Sequence, residues 1–288
     1  MRIPLPRSRP TVRRRSPGVA VLVVCGWTLA GGLSAAPEPA VAGRDAEGIS
    51  RALVSIRRKV SGSVPLTRAY EQAKALHRES PGRPDLAWAF ARACFDRCEV
   101  LASKPVRIAV AREGVEACRS ALKTFPTEAG CHYYLGLNLG ILAQSQPLRA
   151  LGHVREMESA WQASRLLDPT FDHAGADRSL GMLYAECPPP PIGVGSRTKA
   201  RSHLAKAVEL APAHPGNRLE WVEYLERDGD AEAARREFQA LRDGLPTARE
   251  RFHGEAWNAA WEGWQVRIDA LEQRLRGRPT PGRKTQGS

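Results

Sequence analysis

Three stretches of the chain carry one pattern of small and large residues. Gly114, Cys118, Ala121 and Pro126 stand 4, 3 and 5 residues apart. Ala200, Leu204, Ala207 and Pro212 repeat those intervals, and so do Ala234, Phe238, Leu241 and Pro246. A looser copy closes on Trp161, Ser164 and Pro169, with Met157 where a small residue is expected. Steps of 3 and 4 put such residues on one helical face, and the proline predicts the helix end. Leu135-Gly136 and Leu180-Gly181-x-x-Tyr184 precede two of these helices, so each copy reads as an antiparallel pair. The glycine of the first helix is expected to face the small residue that opens the second, with the large residues filling the space between. The closing prolines lie 43, 43 and 34 residues apart. The extra length is expected between paired helices, around Gln144–Pro147 and in Cys187–Gly193, whose four prolines predict a rigid, extended loop. Farther on, Trp257, Trp261, Trp264, Ile268, Leu271 and Leu275 are spaced 4, 3, 4, 3 and 4, an apolar stripe that predicts a helix covering the last pair. Self-association is the alternative use of that stripe.

These elements predict an all-α solenoid of helix pairs with a C-terminal capping helix. The boundaries are a degenerate pair at 46–80, pairs at 84–128, 129–171, 172–214 and 215–248, the cap at 249–276 and a disordered basic tail at 277–288. In such a solenoid the first helix of each pair lines a concave groove. The positions that would do so are Gly130, Tyr133, Leu137 and Gly140 in the second pair and Gly175, Arg178, Met182 and Ala185 in the third. In the fourth they are Gly216, Leu219, Glu223 and Glu226. Tyr133, Arg178, Met182 and Glu223 are the partner-binding candidates. Glu220, Glu223 and Glu226, three apart, read as a solvated acidic face that would suit a cationic partner.

The net charge of +12 changes little, because of where it lies. Residues 1–42 carry six arginines and one acid, and the last fifteen residues carry five basic residues and no acid. The body between is close to neutral and lacks the basic stripe of a nucleic-acid binder. The N-terminal arginines, an apolar run from Gly18 to Leu33 and Ala40-Val41-Ala42 predict an export signal cleaved after Ala42. Leu22–Cys25 fits a lipobox badly, so lipid anchoring is not expected. A periplasmic or envelope location follows. Cys94, Cys98, Cys118, Cys131 and Cys187 remain, as disulfide partners or as small apolar packing residues. No catalytic motif, metal-ligand spacing or cofactor fingerprint occurs, so neither enzyme chemistry nor a cofactor is expected. Gly193–Arg197 could cradle an anion, but Ser196 reads more simply as a helix cap.

The small–large–small–proline spacing resembles the tetratricopeptide repeat, a 34-residue helix pair. The strings HYYLGLNLG, EMESAWQASRLLDP, the stretch from Ala174 to Pro212 and HPGNRL resemble the T component found beside TRAP transporters (TatT), and more distantly the regulator-of-microtubule-dynamics proteins. That resemblance implies an oligomeric periplasmic helper of ligand uptake, binding a protein such as a periplasmic substrate-binding protein, or a small organic ligand. A general envelope scaffold is the other reading.

Overall fold

The computed structural model of the chain describes residues 63–146 and 149–277. The predicted signal sequence, the first half of the 46–80 pair and the basic tail lie outside the described residues.

Among the described residues ten helices follow one another: α1 (Ser63–Glu79), α2 (Pro84–Val100), α3 (Lys104–Thr124), α4 (Ala129–Ser145), α5 (Ala150–Leu167), α6 (Phe171–Glu186), α7 (Arg197–Leu210), α8 (Pro215–Asp228), α9 (Ala231–Arg251) and α10 (Glu255–Gly277). No strand occurs among them. From α1 to α9 consecutive helices pack antiparallel, so α2, α4, α6 and α8 run side by side in one direction and line one face, while α10 packs on α8. The result is a tetratricopeptide-like helix-pair solenoid with α10 laid over its end.

Local chemistry explains the element ends. Pro126, Pro169 and Pro212 sit just past α3, α5 and α7, where the missing N–H cannot continue the ladder. Pro246 does not end its helix: α9 runs on through it to Arg251, so the chain turns five residues later than its proline suggests. Ser196 caps α7 by accepting from the Lys199 N–H, as expected, and Asp230 caps α9 through the Ala233 N–H. Gly229 closes α8 at φ 86°, a backbone region that favours glycine.

The repeat residues form the core. Gly114, Ala121, Leu135, Gly136, Trp161, Leu180, Gly181, Tyr184, Ala200, Leu204, Ala207, Ala234 and Phe238 are all buried. Their pairing differs from the expected one. A Cβ at Gly136 would stand 2.3 Å from Trp161 Nε1, and one at Gly181 would stand 2.5 Å from Leu204 Cγ. The glycine of the first helix therefore makes room for the large residue of the second, four positions past the small one. Gly114 looks the other way and gives space to Asn138 on α4 of the next pair.

The extra length is also used differently. In the second pair it lengthens the helices, 17 and 18 residues long, because Gln144 and Ser145 continue α4. In the third pair the proline loop folds back on itself instead of extending. Gly193 N–H donates to Pro189 O, Gly195 N–H to Pro188 O and Ser196 N–H to Tyr184 O. A Cβ at Gly195 would lie 1.9 Å from Cys187 O, so this closure needs glycine. The glycines thus serve the turn, and no anion cradle is required to explain them.

Candidate functional site

Of the four predicted groove residues, the structure brings two together in the interior and sends the other two elsewhere. Tyr133 and Arg178 are 1 % and 2 % exposed. They meet around the start of α6, where Asp172, His173 and Ala174 all take left-handed backbone angles (φ 50°, 55° and 61°). Three consecutive non-glycine residues in that region are strained by roughly 1–2 kcal/mol each, so the surroundings must hold them. Arg178 does much of this. Its Nη2 donates to Asp172 Oδ2 at 2.8 Å and its Nη1 to Asn217 Oδ1 at 2.7 Å, and it reaches the carbonyls of Asp172 and His173 at 3.4 Å. Tyr133 OH donates to the same Asp172 carboxylate at 2.6 Å, and Asn217 Nδ2 donates to His173 O and Ala207 O at 2.9 Å. Burial and the neighbouring Asp172 charge push the Tyr133 hydroxyl pKa well up. Burial opposes the Arg178 charge, but the Asp172 carboxylate and the hydrogen bond to the Tyr133 oxygen outweigh it and keep the guanidinium protonated. The network joins α4, α6 and α8; Arg178 is sealed inside it, while Tyr133 and Asp172 also line a small cleft beside Arg92 and Asp96 of α2.

Glu223 is held from outside. Arg267 of α10 grips it with two bonds of 2.9 and 2.8 Å, and also meets Glu220 at 2.9 Å. Arg274 grips Glu226 at 2.9 and 3.2 Å. The acidic face of α8 is thus neutralised within the chain rather than solvated. The signal was present as two α10 arginines seven residues apart, set to match acids on a parallel helix. Trp257, Trp264, Ile268, Leu271 and Leu275 form the buried face of α10, which makes the stripe a cover for the last pair.

Met182 faces an open feature, together with the groove positions Leu137 and Gly140. A cleft is lined from α2 by Phe95 and Glu99, from α4 by Leu137, Gly140, Ile141, Ala143 and Gln144, from α6 by Met182, Leu183 and Glu186, and by Cys187 just past the end of α6. Val154, Met157 and Trp161 of α5 form its remaining wall. Counting the part open to solvent it spans about 530 Å³, but a water molecule's centre reaches only about 30 Å³ of that. It is narrow and apolar, and two methionines line it. A second, larger and more open groove, about 740 Å³ on the same count, lies between α7 and α8, over the stacked rings of Trp221 and Tyr224. Its Arg197 and Arg201 are paired with Asp228 and Asp230. Sequence reasoning did not single out this groove.

The remaining candidates carry no reactive chemistry. All five described cysteines are free thiols and buried. Burial pushes Cys98 up to about 12 and Cys187 up to about 11, and raises Cys94 and Cys118 well above the usual thiol range. They behave as packing residues, not nucleophiles. His132 contacts Pro126 O and His203 contacts Asp177 at 2.6 Å, while His173 stacks on His214 at 4.9 Å. Among the described residues no cluster of three His, Cys, Asp or Glu side chains could hold a metal ion, and no helix is long and apolar enough to cross a membrane.

No protein-family profile and no curated protein matches the sequence. Among solved structures, the fold is similar to a thermophilic TPR protein of Thermus thermophilus. The TM-score is 0.54 at 16 % identity, over 73 % of this chain and 91 % of that one. The chain therefore has the tetratricopeptide-type fold, and the likeness extends to the fold alone.

Proposed function

We propose that this is a non-enzymatic interaction protein that binds a segment of a partner protein in the cleft between α2, α4 and α6. The observation that carries this reading is the cleft itself, apolar and open on the face where the first helices lie side by side. Elsewhere on that face Arg178 is buried in its network and Glu223 and Glu226 are held by α10, while the neighbouring cleft at Tyr133 is smaller and lined by charged side chains. A photo-cross-linking side chain in place of Met182 should form protein adducts in an extract of the native cells. The same group in place of Glu209, exposed on α7, should not. Equal adduct patterns at the two positions would count against the reading.

Export supplies the setting. The arginine-rich start, the apolar run and Ala40-Val41-Ala42 support a cleaved signal, so mature protein should begin at Gly43. Intact chain found in the cytosol would refute this. Within an envelope location, the narrower role is that of an accessory to a TRAP-type transport system, its partner a periplasmic substrate-binding protein. That role rests on the sequence resemblance. It predicts that such a protein is the cross-linked species.

A further inference from the structure

We infer that Cys118 and Cys131 are a latent disulfide, a bond made while the chain folds that ties the α2–α3 pair to the α4–α5 pair. The first observation is contact. Cys118 of α3 and Cys131 of α4 are both fully buried, and their thiols lie within hydrogen-bonding reach of each other. The helices are close there: one turn before Cys118, a Cβ at Gly114 would stand 2.7 Å from the Asn138 side chain of α4. The short link 125–128 joins the two helices, so their register is fixed and the thiols stay opposite each other. The second observation is the place in the repeat. Cys118 occupies the position where the other copies carry Trp161, Leu204 and Phe238. Gly136 and Gly181 make room for the first two of those large side chains. A thiol fills far less of that space, and beside a second thiol it has a covalent use that the other copies lack. Cys98 is engaged elsewhere, with the Arg107 carbonyl at 3.5 Å, and Cys187 stands beyond α6. Cys94 interacts with Cys118 through space and is the competing partner.

The oxidant is a disulfide, oxidised glutathione or that of a thiol oxidoreductase. One thiolate of the pair attacks a glutathione sulfur and releases one glutathione thiol. The second thiolate attacks the resulting mixed disulfide and releases the other. The protein loses two electrons and two protons, and the glutathione disulfide gains both. Export, as proposed above, would bring the chain to such an oxidant. Burial raises the Cys118 thiol well above its ordinary range, so in the finished fold it is a poor nucleophile and out of an oxidant's reach. The bond therefore forms before α3 and α4 close on each other, and the same burial then shields it from reductants. It would hold α4, which lines much of the cleft, against α3.

The full chain, reduced and unfolded in urea and then refolded with reduced and oxidised glutathione, tests this. After alkylation of the remaining thiols, mass spectrometry of a peptic digest should show Cys118 linked to Cys131. The oxidised chain should melt about 5–10 °C above the same chain refolded under reductant, the shift expected for closing a loop of this length. Cys118→Ala should remove both the linkage and the shift. The linkage map is made on the unaltered chain, so it decides even where Cys118→Ala does not fold. Cys118 and Cys131 both alkylated after oxidative refolding would overturn the inference, and so would Cys94 linked to Cys118. A Cys118–Cys131 bond that lowers the midpoint would overturn it too, because α3 and α4 would then have to be distorted to make it. The oxidant is supplied and the cleft is not probed, so failure here leaves the scaffold and export readings standing.

Discussion

Replacing Arg178 with methionine tests the buried network most directly. The side chain is 2 % exposed and of similar length, so the substitution keeps volume and removes charge and donors. Five groups then lose a partner: the Asp172 carboxylate, Asn217 Oδ1, the Tyr133 hydroxyl oxygen, and the carbonyls of the left-handed turn at Asp172 and His173. Removing one member of a buried ion pair costs roughly 3–5 kcal/mol, because the other charge stays behind in a medium that solvates it poorly. That is a large share of the roughly 5–15 kcal/mol that holds a domain of this kind together. Urea unfolding followed by circular dichroism should show the loss as a lower midpoint with unchanged slope. Asp172→Asn tolerates the positive φ and removes the stranded charge. Added to Arg178→Met, it should cost less than it does alone, with a coupling of about 1–3 kcal/mol. A loss under about 1 kcal/mol for Arg178→Met, or additive single effects, would refute the network. Because Tyr133 shares Asp172, a Tyr133→Ala, Arg178→Ala double variant would report on stability, and reduced partner capture by it would say nothing about contact.

Two further outcomes follow from other parts of the solenoid. Gly181→Ala should lower stability by about 1–3 kcal/mol, since its Cβ would also stand 3.1 Å from the Leu204 backbone nitrogen, whereas Gly140→Ala should raise it by about 0.5–1 kcal/mol; thermal midpoints moving together would contradict the glycine assignment. Burial lifts the Glu220 carboxyl above its ordinary value despite Arg267, so the folded chain holds that proton more tightly than the unfolded one. Its contribution is greatest below the ordinary carboxylate range and declines as pH rises above it. Glu220→Gln should therefore gain on the wild type in urea midpoint as pH rises from about 4.5 to about 7, and a constant or shrinking difference would refute the shift.

The helix pairs were legible because their signal is local. Steps of 3 and 4 with a closing proline mark Ala200–Pro212 and Gly114–Pro126 whatever surrounds them. What those residues touch was not legible. Which side of α3 Gly114 serves depends on where the next pair lies, and that depends on how Asn138 bonds to Ala91 O and Tyr134 O. The surroundings of Tyr133 and Arg178 were not legible for a related reason. Periodicity says that Tyr133 and Arg178 face inward along the concave side. It does not say that a left-handed turn from the following connection drops Asp172 between them and turns that face into interior. Three positive-φ residues in the string Asp172-His173-Ala174 have no glycine to announce them. Glu220, Glu223 and Glu226 illustrate the opposite error. Read alone they are a solvated stripe, and only the position of α10 gives each of them an arginine.

These two departures share a consequence for where a partner can sit. The Arg178 network locks α4, α6 and α8 to one another, and Arg267 with Arg274 locks α10 onto α8. Both devices spend charged and polar side chains on register, and each takes up part of the inner surface of the third or fourth pair. Polar contacts of this kind are directional, so they tolerate little movement between the helices they join. Toward α2 the inner surface changes character: Leu137, Gly140, Ile141, Met157 and Met182 offer no directional bonds and little bulk. A rigid half and an adaptable half thus sit within one solenoid. The rigid half fixes the spacing of α4 and α6, which are two of the three helices that shape the cleft. Binding there would order a few methionine rotamers rather than a loose array of helices, and a smaller ordering cost leaves more of the contact energy as affinity.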